Sequence, residues 1–286
     1  MTSRLPPFAG SLRRVPLAAL LLGCAGAPAA APAEPVLPPL AQTLPLGGRA
    51  TYGIVDSVRV EADGDRVRFS TEVAYSAEVR LRFRTSGDTL LATATLSALE
   101  GTLLNPTTGA ATVGLGDVDG EWVVAVGRDG AVTSLATPAV TEGFRAIVGT
   151  EDIPRSLFIS LPDGPAVVGT EWVDSVHLAD EGAGVRRRTT IVERSRVAES
   201  TRAAGRPVLI VESVLDVSIE AESAVGSDEP TSQVLRGSVR RRATWDAGLR
   251  RLTHYRATGR LTGELRVDGL DAIPLTADVA REVTGS

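Results

Sequence analysis

The chain has 286 residues, of which 43% are apolar and only 4% aromatic, so it can build one large domain or two modest ones around a core of Val, Leu, Ala and Ile. All thirty basic residues are arginine, and thirty-five acids leave a formal charge of −5. Lys is absent and Asn occurs once, at Asn105, which reads as codon bias rather than as design for phosphate binding. An acidic balance disfavours nucleic acid and anionic lipid surfaces as general partners, and a single cysteine excludes an internal disulfide.

Arg4, Arg13 and Arg14 form a positive leader, and Val15 to Leu22 is an apolar run too short to span a bilayer. Leu21-Leu22-Gly23-Cys24 follows. This quartet resembles the lipobox of bacterial lipoproteins. The resemblance implies that residues 1–23 are a signal peptide, that Cys24 is the lipidation site, and that the mature chain is held on a membrane by acyl chains. An ordinary secretory peptide cut near Ala29-Ala30-Ala31 is the alternative, and Arg13-Arg14 fits a twin-arginine signal poorly. Three arginines and no acid precede Cys24, so the net charge becomes −8 once the leader is removed. Two or more acyl chains anchor stably. In enterobacterial lipoproteins an Asp after the Cys favours the inner membrane. Ala25 stands there instead, which implies a cell-envelope location and, if the bacterium has two membranes, the outer membrane, facing periplasm or surface.

Residues 24–46 read as the lipidated Cys and a Pro/Ala tether, for which extended polyproline II is expected. From Thr51 onward the period is that of strands. Val79 to Arg84 alternates apolar and charged. Leu90, Ala92, Ala94, Leu96 and Ala98 share a face, as do Leu209, Val211, Leu215, Val217, Ile219 and Ala221. Asp63-Gly64, Asp119-Gly120, Asp129-Gly130 and Asp268-Gly269 fall between such runs and fit hairpin turns. One segment breaks the period. Thr137-Pro138 reads as N-cap and first turn of an amphipathic helix carrying Val140, Phe144, Ile147 and Val148 and ending at Gly149.

Val55-Asp56-Ser57-Val58 recurs at Val173-Asp174-Ser175-Val176. Aligned without gaps, residues 55–68 and 173–186 agree at seven of 14 positions. The expected fold is therefore mainly β: two duplicated, antiparallel, curved sheet lobes over 47–150 and 151–286, half-barrel-like, with the short helix between them. Two copies make two lobes rather than a solenoid.

Between the copies, Leu161-Pro162-Asp163-Gly164-Pro165 leads through Val168-Gly169 to Trp172. This stretch resembles an LP-x-x-P-V-x-x-G-x-x-W pattern of β-rich secreted bacterial proteins. A lipidated chain of long antiparallel strands is also similar, in architecture alone, to the half-barrel lipoproteins of the LolA, LolB and LppX type. That likeness implies an apolar cavity and a lipid-like ligand.

Residues for chemistry are sparse. His177 and His254 stand in strand-like runs without a ligand set, and with the one Cys spent on the anchor a Cys/His zinc site is excluded. No nucleophile elbow, zinc-protease helix or phosphate loop occurs. Asp117-Val118-Asp119-Gly120-Glu121 resembles half a calcium loop but lacks the later ligands, and a plain turn is expected. Arg186-Arg187-Arg188 and Arg240-Arg241-Arg242 read either as an anionic or head-group site or as a sheet face on which Arg crosses to Glu193, Glu212 or Glu220. Consecutive arginines also suggest an edge or a strand end. Trp122, Trp172 and Trp245 are expected in the core or lining a cavity. No catalytic residue, metal or cofactor is expected. The expected function is a non-catalytic envelope module working through a protein partner, with a filled interior; the alternative is a carrier of a lipid or other apolar ligand of the half-barrel type. Carboxylate-only catalysis would gain if two buried carboxylates faced each other in a cleft.

Overall fold

The computed structural model describes residues 41–65, 68–87, 89–105, 109–148, 152–162, 164–182, 185–223 and 231–286. The protein is mainly β, and its framework is one large antiparallel sheet. In chain order the strands are β1 (Arg49–Asp63), β2 (Arg68–Ser86), β3 (Thr89–Asn105), β4 (Gly109–Gly114), β5 (Val118–Asp119), β6 (Trp122–Val126), β7 (Val132–Ala136) and β8 (Ala139–Val140). Helices α1 (Glu142–Ile147) and α2 (Asp152–Ser156) follow. Then come β9 (Glu171–Gly182), β10 (Val185–Ala203), β11 (Arg206–Ser223), β12 (Thr231–Asp246), β13 (Arg251–Val267) and β14 (Ile273–Gly285).

The large sheet runs β7-β6-β3-β2-β1-β14-β13-β12-β11-β10-β9, with β4 on β3, while β5 and β8 pair apart. The last strand lies against the first: Tyr52 faces Gly285 and Ala62 faces Leu275 in an unbroken register. The strands expected in two lobes therefore belong to one sheet. That sheet is neither closed nor curled into a half-barrel; β7 and β9 end it without pairing to each other. Duplication is not shown either. One VDSV copy lies on β1 with a strand on each side, and the other on the edge strand β9. Alternation in sequence specifies which residues share a face, but not which strands meet across two hundred residues.

Local signals fare better. Asp63-Gly64, Asp129-Gly130 and Asp268-Gly269 fall at connections between paired strands, whereas Asp119-Gly120 joins β5 to β6, which do not pair; Gly120, Gly130 and Gly269 have positive φ of 106°, 90° and 75°. Leu90, Ala92 and Ala94 are buried on one face of β3. The helix starts later than expected: its N-cap is Thr141, whose Oγ1 accepts from Phe144 N at 3.3 Å. Thr137-Pro138 is not the cap, because the backbone at Ala139 and Val140 is taken by pairing with Asp119 and Val118. The expected end at Gly149 lies outside the described residues. α2, with Pro154 inside it, was not expected.

The sheet's inner face is covered near one end of its strands. Phe144, Ile147 and Val148 of α1, then Ile153, Leu157, Phe158, Ile159, Leu161 and Ala166, are buried there against Tyr52, Ile54, Val79, Leu81, Trp122, Leu209, Trp245 and Val283. The covering segment touches both edges of the sheet. Leu161 N donates to Asp129 O in the β6–β7 turn at 2.8 Å, and Trp172 Nε1 of β9 donates to Ser160 Oγ at 3.2 Å. Gly130 is required at this crossing, since a Cβ there would lie 2.0 Å from Ile159 O. Tying both edges to one segment also shields them from further strand pairing. Among the described residues the buried apolar core lies between Ala50 and Val283, and a chain beginning at Ala25 keeps all of it.

Candidate functional site

One row across the inner face breaks its apolar columns. Asp56 on β1 stands between Ile54 and Val58. Its register partner Arg281 on β14 stands between Val279 and Val283. The row continues through Ala257 to Arg241 on β12, Ser213 on β11, Ser195 on β10 and Trp172 on β9. Such a row is expensive to bury unless each charge is paired and hydrogen-bonded.

Here the pairing is present. Arg281 Nε donates to Asp56 Oδ2 at 2.7 Å, and Asp56 is buried. Glu193, one row away on β10, accepts at Oε1 from Ser195 Oγ (2.7 Å), Ser213 Oγ (3.0 Å) and the Arg241 guanidinium. Glu193 and Arg241 expose about a tenth of their side chains, 11% and 10%. The Arg241 guanidinium also sits 5.8 Å from the centroid of the Tyr255 ring. Burial holds the Tyr255 phenol above its ordinary pKa, and Arg281 and Arg241 oppose that shift. Arg241 Nε is buried and has no hydrogen-bond partner among the described residues.

Beside this row opens a groove of about 530 Å³, within the range of small-molecule sites. Its floor includes Val58, Val176, Ile191, Leu215, Val217, Val239 and Val279. Arg155, Ser156, Phe158 and Ser160 of the covering segment line it from the other side. Beyond it the inner face continues as a second apolar cluster of Ala62, Leu235, Leu261, Ile273, Leu275 and Ala277, built from sheet side chains alone. Gly259 keeps the floor low, because a Cβ there would come within 2.5 Å of Ser238 O and 2.7 Å of Val239 Cα.

Both VDSV copies meet at this groove, since Asp56 and Asp174 line it. Asp174 faces Glu193 in the register of β9 and β10. Only Glu193 of the two is buried, and Asp174 Oδ1 turns to its own strand, accepting from Ser175 N at 2.7 Å.

The other expected residues fall as follows. Leu21, Leu22, Gly23 and Cys24 lie outside the described residues, as does most of the tether. His177 Nδ1 is 3.3 Å from Thr190 Oγ1, and His254 Nε2 is 3.3 Å from Glu282 Oε1; both are exposed contacts. Trp122 and Trp245 are buried core residues, and Trp172 is half-buried. Asp117 is a structural turn residue. It accepts from Gly114 N at 2.8 Å and Thr141 Oγ1 at 2.9 Å, and these bonds hold its carboxyl below its usual range. Among the described residues no group of three or more His, Cys, Asp or Glu is placed to hold a metal ion. None of the described helices is long and apolar enough to cross a membrane.

The second Arg triplet divides between faces: Arg241 turns inward to Glu193, and Arg242 turns outward to Glu212 at 2.6 Å. The expected partners are right, but β12 is an interior strand rather than an edge. Sequence reading missed Asp56, Arg281, Ser195 and Ser213 as a set. The available signal was a polar residue interrupting an apolar period-two column, repeated on four strands.

No protein-family model matches the chain, and no curated protein matches it. Solved structures similar in part are Pseudomonas aeruginosa OccK5 (OpdH), at 8% identity and TM-score 0.29 over 84% of this chain and 99% of that one. The beta domain of the Bordetella autotransporter BrkA has 10% identity and TM-score 0.26 over 83% and 99%. The outer membrane protein OpdK of P. aeruginosa has 9% identity and TM-score 0.23 over 84% and 100%.

Proposed function

We propose that the protein is a non-catalytic lipoprotein of the cell envelope, anchored through Cys24, whose inner sheet face holds an apolar ligand. The observation that carries this reading is the groove. Its floor is apolar, and a paired charged row borders it beside an otherwise continuous core. A module that worked only through a protein partner would need a contiguous apolar surface patch. The large exposed apolar side chains include Leu46, Val55, Leu135 and Val173, on separate strands and loops. Single exposed residues of this kind are ordinary.

The row also restricts the ligand. Asp56, Asp174 and Glu193 line the groove with Arg155, Arg241 and Arg281, so acids and arginines balance. A ligand with an uncharged or zwitterionic head suits such a border better than a bare anion. Catalysis by a carboxylate pair gains no support. The two buried carboxylates that line the groove, Asp56 and Glu193, stand five strand spacings apart, about 24 Å along the sheet, and each is held by an arginine.

The ligand reading is tested with a fluorescent acyl probe that carries a zwitterionic head, a parinaroyl phosphatidylcholine. Binding is expected, and Val217→Asp on the floor should weaken it at least about tenfold. Val55→Asp, on the opposite face and 60% exposed, should leave it unchanged. Absence of binding, or equal loss in both variants, would refute the groove as the site. The anchor is tested separately by palmitate labelling in cells: Cys24→Ala should abolish incorporation, and undiminished label would refute lipidation at Cys24.

A further inference from the structure

The outer face of β10–β14 is an ordered ladder of charge. Arg194 pairs with Asp216, Arg196 with Glu212 at 2.7 Å, and Arg242 with Glu212 at 2.6 Å and Glu199 at 2.7 Å. Arg236 pairs with Glu220 at 3.6 Å, and Arg260 with Asp278 at 2.7 Å. Apart from Arg242–Glu199, which reaches across β11, each pair joins adjacent strands, the favourable cross-strand arrangement.

The ladder fails where β12 meets β13. On β12 and β13 two basic columns adjoin, and Arg242 stands directly opposite Arg256. Arg240 faces Thr258 on β13 and Val214 on β11, neither of them an acid. Glu282, opposite Arg256 on β14, is engaged by His254 Nε2 at 3.3 Å. Among the described residues, Arg240 and Arg256 make no ion pair and no side-chain hydrogen bond, and both are exposed. Directly opposed like charges destabilise a sheet. Here they persist on a chain of net charge −5 that supplies acids to the arginines on either side. Val214, Thr244 and Thr258 stand near them, and with Val173, Arg194, Arg196 and Arg242 they line one shallow groove; Glu171 and Glu212 also line it, and Glu212 is held by Arg196 and Arg242.

We propose that this groove binds a phosphate group, with Arg240 and Arg256 as its principal ligands and Arg242 beside them. Arg240 and Arg256 are diagonal neighbours, about 7 Å apart at Cα, within which two long side chains converge on one anion. A guanidinium donates two parallel N–H bonds to phosphate oxygens, and two of them match the charge of a dianion. The phosphate comes either from a lipid head group or from a soluble phosphoryl compound.

The test uses the chain from Ala25, which lacks the anchor cysteine. Pyrophosphate is titrated calorimetrically at low salt, and cosedimentation is measured with phosphatidylglycerol vesicles and with phosphatidylcholine vesicles. The double variant Arg240→Gln/Arg256→Gln should weaken binding at least about tenfold. Arg260→Gln, which removes a paired arginine from the same face, should change it less than about twofold. Loss confined to phosphatidylglycerol vesicles identifies the lipid phosphate; loss of pyrophosphate binding identifies a soluble phosphoryl ligand. The proposal is overturned if neither probe binds, if the double variant binds as the parent does, or if Arg260→Gln reduces binding as much as the double variant. Unfolding midpoints in urea confirm that each variant is folded, as exposed Arg→Gln changes should leave it.

Discussion

The same strands, β9–β14 and β1, carry two unlike stretches of inner face. Toward Tyr52 and Val283 the sheet is packed beneath α1, α2 and residues 157–166, and Trp122, Trp245 and Phe144 are almost wholly excluded from solvent. Toward Ala62 and Leu275 the apolar cluster consists of sheet side chains alone, with Val217 and Ile219 only half-buried. The boundary is the row Asp56–Arg281–Arg241–Ser213–Ser195. Where it reaches that row the covering segment presents the polar Arg155, Ser156 and Ser160 beside Phe158. The comparison teaches that the row marks where the covering layer stops. An apolar face of one character throughout would give the cover no register along the strands, whereas a paired polar row gives it one.

The largest effect should come from the covered stretch. Trp122→Ala should cost about 4 kcal/mol in urea denaturation, the usual scale for truncating a fully buried indole. A loss as small as that of a floor variant would erase the distinction between the two stretches. Next comes the boundary. Glu193→Ala leaves the Arg241 guanidinium buried without its counter-charge and should cost about 3 kcal/mol. Replacing both, Glu193→Leu with Arg241→Met, should recover most of that, because the penalty lies in the orphaned charge rather than in the lost pair.

A smaller effect is expected at high pH. Burial pushes the Tyr52 phenol up to about 12, and its hydroxyl donates to Leu252 O at 3.0 Å. The unfolded chain releases this proton near pH 10, before the folded chain does. The contribution is therefore complete below about pH 10 and is lost as pH rises toward 12. Tyr52→Phe should flatten stability across that window and cost about 1 kcal/mol at neutral pH. An unchanged alkaline profile would show that Tyr52 does not govern it. The smallest change belongs to the floor: Val217→Ala should cost about 0.8 kcal/mol, half the transfer value of two buried carbon groups.

Much of this was legible locally. Period-two runs located β2, β3 and β11, and the Asp-Gly pairs located turns, because both signals depend on a few adjacent residues. Arg241 and Arg242 found Glu193 and Glu212 as expected; Glu212 lies on the adjacent strand, whereas Glu193 is reached across β11. The single sheet was not legible, because β1 and β14 pair residues such as Asp56 and Arg281 that are 225 positions apart. Helix α1 was placed early, because Val140 fits an apolar helix face as well as it fits the β5–β8 pair. The groove was hinted at only by charges standing in apolar columns. Asp56 was noticed as part of a repeat, not as the partner of Arg281.

The most direct measurement is native mass spectrometry of the chain from Ala25, purified from membrane-containing extract and compared with its denatured mass. A discrete excess mass that is released as a lipid-like molecule, and that is lost in Val217→Asp, is the predicted result. A bare polypeptide mass, reproduced across preparations, would contradict an apolar ligand on the inner face.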